Sequence, residues 1–252
     1  MKVALQLYSI RDILPGNIEK CIAEVAEIGY DGVEIVNFGG DSLNEIVSAM
    51  RNNDLQVFSI HTDIHEVIAC DAEKLNYYAA LGCRYMPISA LPDDRLPGGD
   101  KYEETLCAIR NFSETAQGYG IKLLYHNHDF DFEKAGGRYK LDILYSDLPA
   151  SILGAELDTC WIYTAGESPL DYYKKYSDRC PILHLKDCVP EGGRKGFREL
   201  GAGVIGFGLI VEEAKSRGLD WLCIEQDEPT PGKTSMECAR DSYTFLKNLG
   251  IF

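Results

Sequence analysis

The stretch PILHLKD, Pro181–Asp187, is a short apolar run with His184 inside it and Lys186 and Asp187 closing it. A helix-period segment, Pro169–Tyr176, precedes it. A polar, glycine-rich loop from Cys188 to Gly203 follows, then a second helical pattern from Ile205 to Arg217. Another apolar run, Trp221–Glu225, leads into a last helix at Thr234–Leu249. Apolar runs of strand length that alternate with helices read as parallel strands joined by helical crossovers.

The same rhythm extends back to the first residues. Strands are expected at Val3–Tyr8, Gly32–Val36, Gln56–His61, Arg84–Ser89, Lys122–Asn127 and Ile152–Leu157. Helices are expected at Ile18–Ile28, Ser42–Asn52, Asp71–Leu81, Tyr102–Tyr119 and Leu141–Tyr145, the first and third stopped by Gly29 and Gly82. Eight such units in 252 residues predict an α/β fold, a (β/α)8 TIM barrel that forms a single domain over 1–252. An open nucleotide-binding sheet lacks its signature, since no GxGxxG follows the first strand and no GxxxxGK[ST] occurs.

A formal net charge of −15 argues against nucleic acid and anionic membrane surfaces as partners. No apolar stretch approaches the roughly 18 residues of a membrane span, and no signal-peptide pattern opens the chain. The nine scattered cysteines contain no CxxC pair. They read as small core residues of a reduced, cytoplasmic protein.

Barrels of this kind carry their chemistry at the C-terminal ends of the strands. All five histidines are expected there: His61 and His65 after the third strand, His126 and His128 after the fifth, and His184 on the seventh. Carboxylates join them: Glu34 on the second strand, Glu156 and Asp158 on the sixth, Glu225 and Asp227 on the eighth. Asp158, His184 and Glu225 come from three consecutive strands. Two carboxylates and an imidazole suit Mn²⁺, Mg²⁺, Co²⁺ or Zn²⁺. A buried carboxylate–histidine network without metal is the alternative.

At these residues the chain resembles a known family. QLYSIR (Gln6–Arg11), GYDGVE (Gly29–Glu34), YHNHDFDF (Tyr125–Phe132), ELDTCW (Glu156–Trp161), HLKD (His184–Asp187) and IEQD (Ile224–Asp227) occur in order along it. Together they resemble the sugar phosphate isomerase/epimerase family of xylose isomerase-like barrels. The resemblance implies a metal held by acidic groups of strands five, six and eight and a histidine of strand seven. Asp158, His184 and Glu225 match three of those positions. For the fourth, His126 stands where ketose epimerases have glutamate; the likeness to dehydratase-like relatives with a His-x-His strand end implies an acidic residue a few positions later, Asp131 first, with Glu133 or His126 as alternatives. Mn²⁺ is the ion expected first.

The activity implied is isomerisation or epimerisation of a keto-sugar, by removal of a proton beside a carbonyl. A lyase or dehydratase acting on a keto-inositol or 3-keto-glycoside is the alternative. His126, His128, Lys186 and Glu225 are the candidate acids and bases. Gln6, Tyr8, Arg11, Glu34 and His61 are the candidate substrate-binding groups, although Gln6 and Tyr8 could simply fill the barrel. Lys186 could instead be consumed in a salt bridge to Asp187 or Glu156. The basic cluster Arg194, Lys195 and Arg198 reads as a solvated loop. A non-catalytic sugar-binding barrel, or a subunit that depends on a partner chain, is a reading of another class. An endonuclease IV-like activity is disfavoured by five histidines and a −15 charge. Dimers are common in the family, which leaves a homodimer open.

Overall fold

The computed structural model describes residues 1–36, 42–190 and 196–250. Eight parallel strands close into a barrel in chain order: β1 (Lys2–Gln6), β2 (Gly32–Ile35), β3 (Gln56–Ile60), β4 (Tyr85–Ile88), β5 (Lys122–His126), β6 (Gly154–Asp158), β7 (Ile182–Leu185) and β8 (Trp221–Ile224). The ring closes where β1 pairs with β8, Lys2 beside Trp221 and Leu5 beside Ile224. Helices α1 (Ile18–Ile28), α2 (Ser42–Asn52), α4 (Ala72–Leu81), α5 (Tyr102–Gln117), α6 (Lys140–Asp147), α8 (Pro169–Tyr176), α9 (Phe207–Ser216) and α10 (Ser235–Asn248) follow the expected order. Two short helices, α3 (Ile64–Ala69) and α7 (Thr159–Thr164), are additional. The first strand stops at Gln6, two residues early. The Gln6 side chain there accepts the Tyr8 N–H and starts a 3₁₀ turn over Leu7–Ile10.

Local chemistry explains several boundaries. Asp71 caps α4 through the N–H groups of Glu73 and Lys74, and Gly82 ends that helix at φ +101°. Ser168 caps α8 with Pro169 in its first turn. Thr234 and Glu237 form a reciprocal capping box on α10.

The main apolar core lies between strands and helices. Inside the barrel a smaller cluster forms a floor from Ala4, Phe58, Leu124, Ile182, Trp221 and Cys223. Phe58 and Trp221 stack there with ring centroids 3.9 Å apart. Gly32 makes room for them, because a Cβ at that position would meet the Gln56 carbonyl oxygen at 2.6 Å and the Trp221 ring at 3.2 Å. Above the floor the inward residues become polar. Strand register sets them side by side: Gln6 with Glu34, His126 with Glu156, and Asp158 with His184. All nine cysteines are free thiols. Among the described residues, no helix is long and apolar enough to cross a membrane.

Candidate metal centre and active site

The inward faces of six strands and the residues just beyond them carry a buried charged layer. Its lower part centres on two carboxylate oxygens. Glu156 Oε1 lies 2.8 Å from His61 Nε2, 2.9 Å from His126 Nδ1 and 3.2 Å from His184 Nε2. Glu34 Oε1 lies 2.7 Å from His184 Nε2, 3.1 Å from His61 Nε2, and accepts Gln6 Nε2–H at 2.7 Å. The second oxygen of each glutamate is buried without a hydrogen-bond partner.

The upper part faces the mouth. Asp158 is both the end of β6 and the cap of α7. Its Oδ1 accepts the N–H groups of Cys160 and Trp161 at 2.8 and 3.0 Å, while Oδ2 is buried without a hydrogen-bond partner. Capping thus locks the carboxylate and leaves one oxygen to face the site. Glu225 Oε2 stands 3.2 Å from His184 Nδ1 and 3.4 Å from Lys186 Nζ. Lys186 reaches Asp227 Oδ1 at 2.5 Å and lies 3.9 Å from Asp158 Oδ2. Its ammonium sits over the rings of Trp161 and Phe197, 4.7 and 4.9 Å from their centroids.

Single ligand atoms of His126, Asp158, His184 and Glu225 all fall within 4.8 Å of one another. The donor chemistry fits a divalent cation. Both histidines engage the glutamates of the lower part through one nitrogen, which leaves the other to serve as a ligand; this is the usual second contact of metal-bound imidazoles. Five carboxylates (Glu34, Glu156, Asp158, Glu225, Asp227) meet one ammonium, so the layer needs further positive charge. Two protons on histidines or one divalent ion supply the same amount.

Without an ion the imidazoles take that charge. Burial alone would lower the His61 pKa, but Glu34 and Glu156 reverse this and raise it to about 10. His184 is driven well above 6.5 in the same way, against burial, by Glu156, Cys223 and Glu34. Burial opposes ionisation of Glu156 and Glu225, yet the neighbouring cations hold both well below the usual range. Asp158 is raised to about 7, by burial first and with Glu225 adding, against Lys186. Burial would discharge Lys186, but Glu225, Asp227 and Asp158 raise it. His128 is lowered to about 2 by burial and by His126 and Lys186. It stacks on Phe130, 5.2 Å between centroids, with Nδ1 buried and unpartnered.

The remaining candidates are placed as follows. Gln6, Glu34 and His61 lie beneath the mouth, where Gln6 and His61 both bond to Glu34 and Glu34 also reaches His184, so they face one another rather than open space. Tyr8, 37% exposed, lies at the rim with the Arg11 guanidinium stacked on its ring. Arg11 donates to the Asp227 carbonyl and pairs with Glu228 at 2.9 Å.

Asp131 lies outside the metal-competent cluster. Its carboxylate accepts Tyr125 O–H and His128 N–H, both at 2.7 Å, and burial raises it to about 7. These bonds shape the turn after β5, and His126, not Asp131, is the fourth residue of the group that could hold an ion. Glu133 is engaged at the surface by Lys140. His65 is exposed on α3, because Asp63 caps a helix directly after β3. Asp187 and Glu156 are both engaged elsewhere, so the partners of Lys186 are Asp227 and Glu225. Arg194 and Lys195 lie outside the described residues, and Arg198 donates to the Phe197 carbonyl.

Two central groups, Glu156 and Asp227, carry no assigned role in the sequence reading. The signal for Glu156 was parity, since it shares a strand face with Asp158, whereas Asp227 lies beyond β8, two residues after Glu225.

A family model described as a xylose isomerase-like TIM barrel matches residues 22–249. The chain belongs to this family. An inosose dehydratase from Clostridium botulinum is 23% identical over 265 aligned positions, covering 91% of this chain and 88% of that protein. The inosose dehydratase of Lacticaseibacillus casei is 24% identical over 163 residues, 58% of this chain, so the match spans about half (54%) of that relative.

Among solved structures, a sugar phosphate isomerase/epimerase from Parabacteroides distasonis superposes with TM-score 0.84 at 20% identity, covering 99% of this chain and 95% of the other. The IOLI protein with a bound zinc atom gives 0.74 at 14% identity, covering 99% and 98%. An L-ribulose 3-epimerase gives 0.74 at 14% identity, covering 98% and 94%. At these identities the structural likeness establishes the xylose isomerase-like fold.

Proposed function

We propose that this xylose isomerase-like barrel is a metal-assisted enzyme that enolises a small polyhydroxylated ketone, as an isomerase or epimerase of a keto-sugar. The observation that carries the reading is the convergence of His126, Asp158, His184 and Glu225 within 4.8 Å, with the Lys186 ammonium beside them. These four residues would hold the ion, Mn²⁺ being the first candidate and Zn²⁺, Mg²⁺ or Co²⁺ the others. A divalent ion there supplies Lewis-acid polarisation of the substrate carbonyl.

The chain's own residues do the rest. Lys186, kept charged by its carboxylates, donates a hydrogen bond to the oxygen on which negative charge develops. His128, kept neutral, offers Nδ1 to the proton on the neighbouring carbon. Trp161 and Phe197 wall the ammonium and exclude water from it. Glu34, His61 and Gln6 act from below by orienting the ligand imidazoles, and Tyr8 and Arg11 shape the rim. The free thiols are in keeping with a reduced cytoplasmic setting.

The curated relatives favour a second reading. Both are named inosose dehydratases, and one aligns with 91% of this chain. On a keto-inositol the same proton abstraction would be followed by loss of the neighbouring hydroxyl. Lys186 Nζ would give its proton to that hydroxyl, which departs as water while the carbon–carbon double bond forms.

The test is to measure bound metals by mass spectrometry on protein purified without chelator, then to follow Mn²⁺-loaded protein with ketoses, a keto-inositol and a 3-keto-glycoside by proton NMR. A new sugar isomer supports the isomerase reading, and loss of water supports the dehydratase. Stoichiometric metal with every compound unchanged refutes both and leaves a sugar-binding barrel.

A further inference from the structure

Helix α7 starts inside the site, and its first turn touches the site at several points. Asp158, its cap, is the last residue of β6 and a member of the group that could hold an ion. The Trp161 ring lies under the Lys186 ammonium, with 4.7 Å from Nζ to the ring centroid. Between them Thr159 is fully buried and turns to the backbone at the end of β7. Its Oγ1 accepts the Lys186 N–H at 3.0 Å. Its O–H lies 3.1 Å from both the His184 and the Lys186 carbonyl oxygens, and having a single proton it donates to one of them at a time.

These bonds stand where the sheet has run out. The pairing of β6 with β7 ends at Asp158 beside His184, and β7 itself ends at Leu185. Lys186 therefore lies just past the strand, beyond the ladder that fixes His184. A lysine carries a compact charge on a flexible stem, so the place of its ammonium depends on how firmly its backbone is held. Thr159 takes the part of the missing strand residue, because one hydroxyl supplies both an acceptor for the N–H and a donor for a carbonyl.

The Lys186 side chain is drawn the other way. Asp227 and Glu225, at the end of β8, take its ammonium, which stands 3.9 Å from Asp158 Oδ2. Thr159 anchors the root of that side chain to the β6 side. It directly follows Asp158, whose own N–H is accepted by Asn127 Oδ1 at 3.0 Å, so the anchor is itself held from β5. One short segment thus fixes both Asp158 and the backbone from which Lys186 reaches toward it.

We infer that Thr159 is a positioning residue for proton transfer: its hydroxyl sets where the Lys186 ammonium stands relative to the Asp158 carboxylate. This rests on the enolisation reading above, in which Lys186 is the hydrogen-bond and proton donor.

Two measurements test it. In the first, the full chain is treated with trinitrobenzenesulfonate, and labelling of Lys186 is followed by peptide mass spectrometry. Thr159→Val, which keeps the shape and removes the hydroxyl, should speed labelling of Lys186 by about tenfold, the factor that one net hydrogen bond of local opening supplies. Thr159→Ser, which restores the hydroxyl, should label as slowly as wild type. Equal labelling of Thr159→Val and wild type overturns the inference. So does wild-type Lys186 labelled as fast as the exposed Lys20, even if no variant folds. Should Thr159→Val not fold, Thr159→Cys, with only a weak S–H donor, takes its place.

In the second, Mn²⁺-loaded protein is assayed on whichever ketose, keto-inositol or 3-keto-glycoside it turns over. Thr159→Val should lower kcat by on the order of a hundredfold, with KM and bound metal unchanged, and Thr159→Ser should recover the rate. In a Lys186→Met background the same change should cost nothing further, since no ammonium is left to position. Losses that multiply in the double variant, or loss of metal together with rate, overturn the inference and leave enolisation standing. If wild type turns over none of these compounds while metal is bound, the enolisation reading fails, and labelling alone decides whether Thr159 positions the lysine.

Discussion

His61 and His184 act as substitutes for a cation in the metal-free protein, and this has a measurable cost at alkaline pH. His61 holds its proton to about pH 10 and His184 also well above 6.5, whereas an unfolded histidine releases it near 6.5. Stability contributed by a raised histidine is complete below the unfolded value and is lost as pH rises toward the folded one. Each such proton gives a slope of about 1.4 kcal/mol per pH unit. Between about pH 7 and about pH 8.5 that amounts to about 2 kcal/mol for His61, and His184 acts in the same direction.

Asp131 and Asp158, both raised to about 7, complete their effect near the lower edge of that window. The buried thiols of Cys83 and Cys180, pushed to about 12, act above it, where unfolded thiols ionise. The assay is urea denaturation of chelator-treated protein, followed by circular dichroism across the window. His61→Asn should make the slope shallower by up to about 1.4 kcal/mol per pH unit. Stability that stays flat across the window, or a slope that His61→Asn leaves unchanged, would refute the assignment of these protons.

Three further outcomes follow from the site. Asp158→Ala should abolish stoichiometric metal, as read by mass spectrometry, because it removes both the free Oδ2 and the cap that fixes it. Glu156→Gln should weaken Mn²⁺ binding by about 10- to 100-fold in calorimetry, the usual effect of disturbing the partner of a ligand imidazole. Lys186→Met should lower kcat by about 10²- to 10⁴-fold while the metal content stays at wild-type level.

The barrel was legible because its signals are local and repeated. Apolar runs such as Ile182–Leu185 are too short for helices, and glycines such as Gly29 and Gly82 end the helices between them. The gathering of His61, His126, His184, Asp158 and Glu225 followed from strand parity and the rule for strand C-termini. What escaped depended on competition between polar groups. Asp131 had the right chemistry for a ligand, but nothing in its sequence position reveals that Tyr125 and the His128 amide claim it. Likewise Asp63 could cap a helix, and once it does, His65 turns outward. Lys186 chose Asp227 over its neighbour Asp187 because Asp187 is tied to four amides.

The stacked Phe58 and Trp221 at the floor stand apart from all of this chemistry. They pack with Leu124 and Ile182, below every group that faces the mouth. Thermal tolerance and turnover therefore answer to different layers of the same barrel. An engineer could repack the Phe58–Trp221 stack, leaving Cys223 in place against Glu34, to harden the protein against heat without the loss of activity that usually accompanies stabilising an active site.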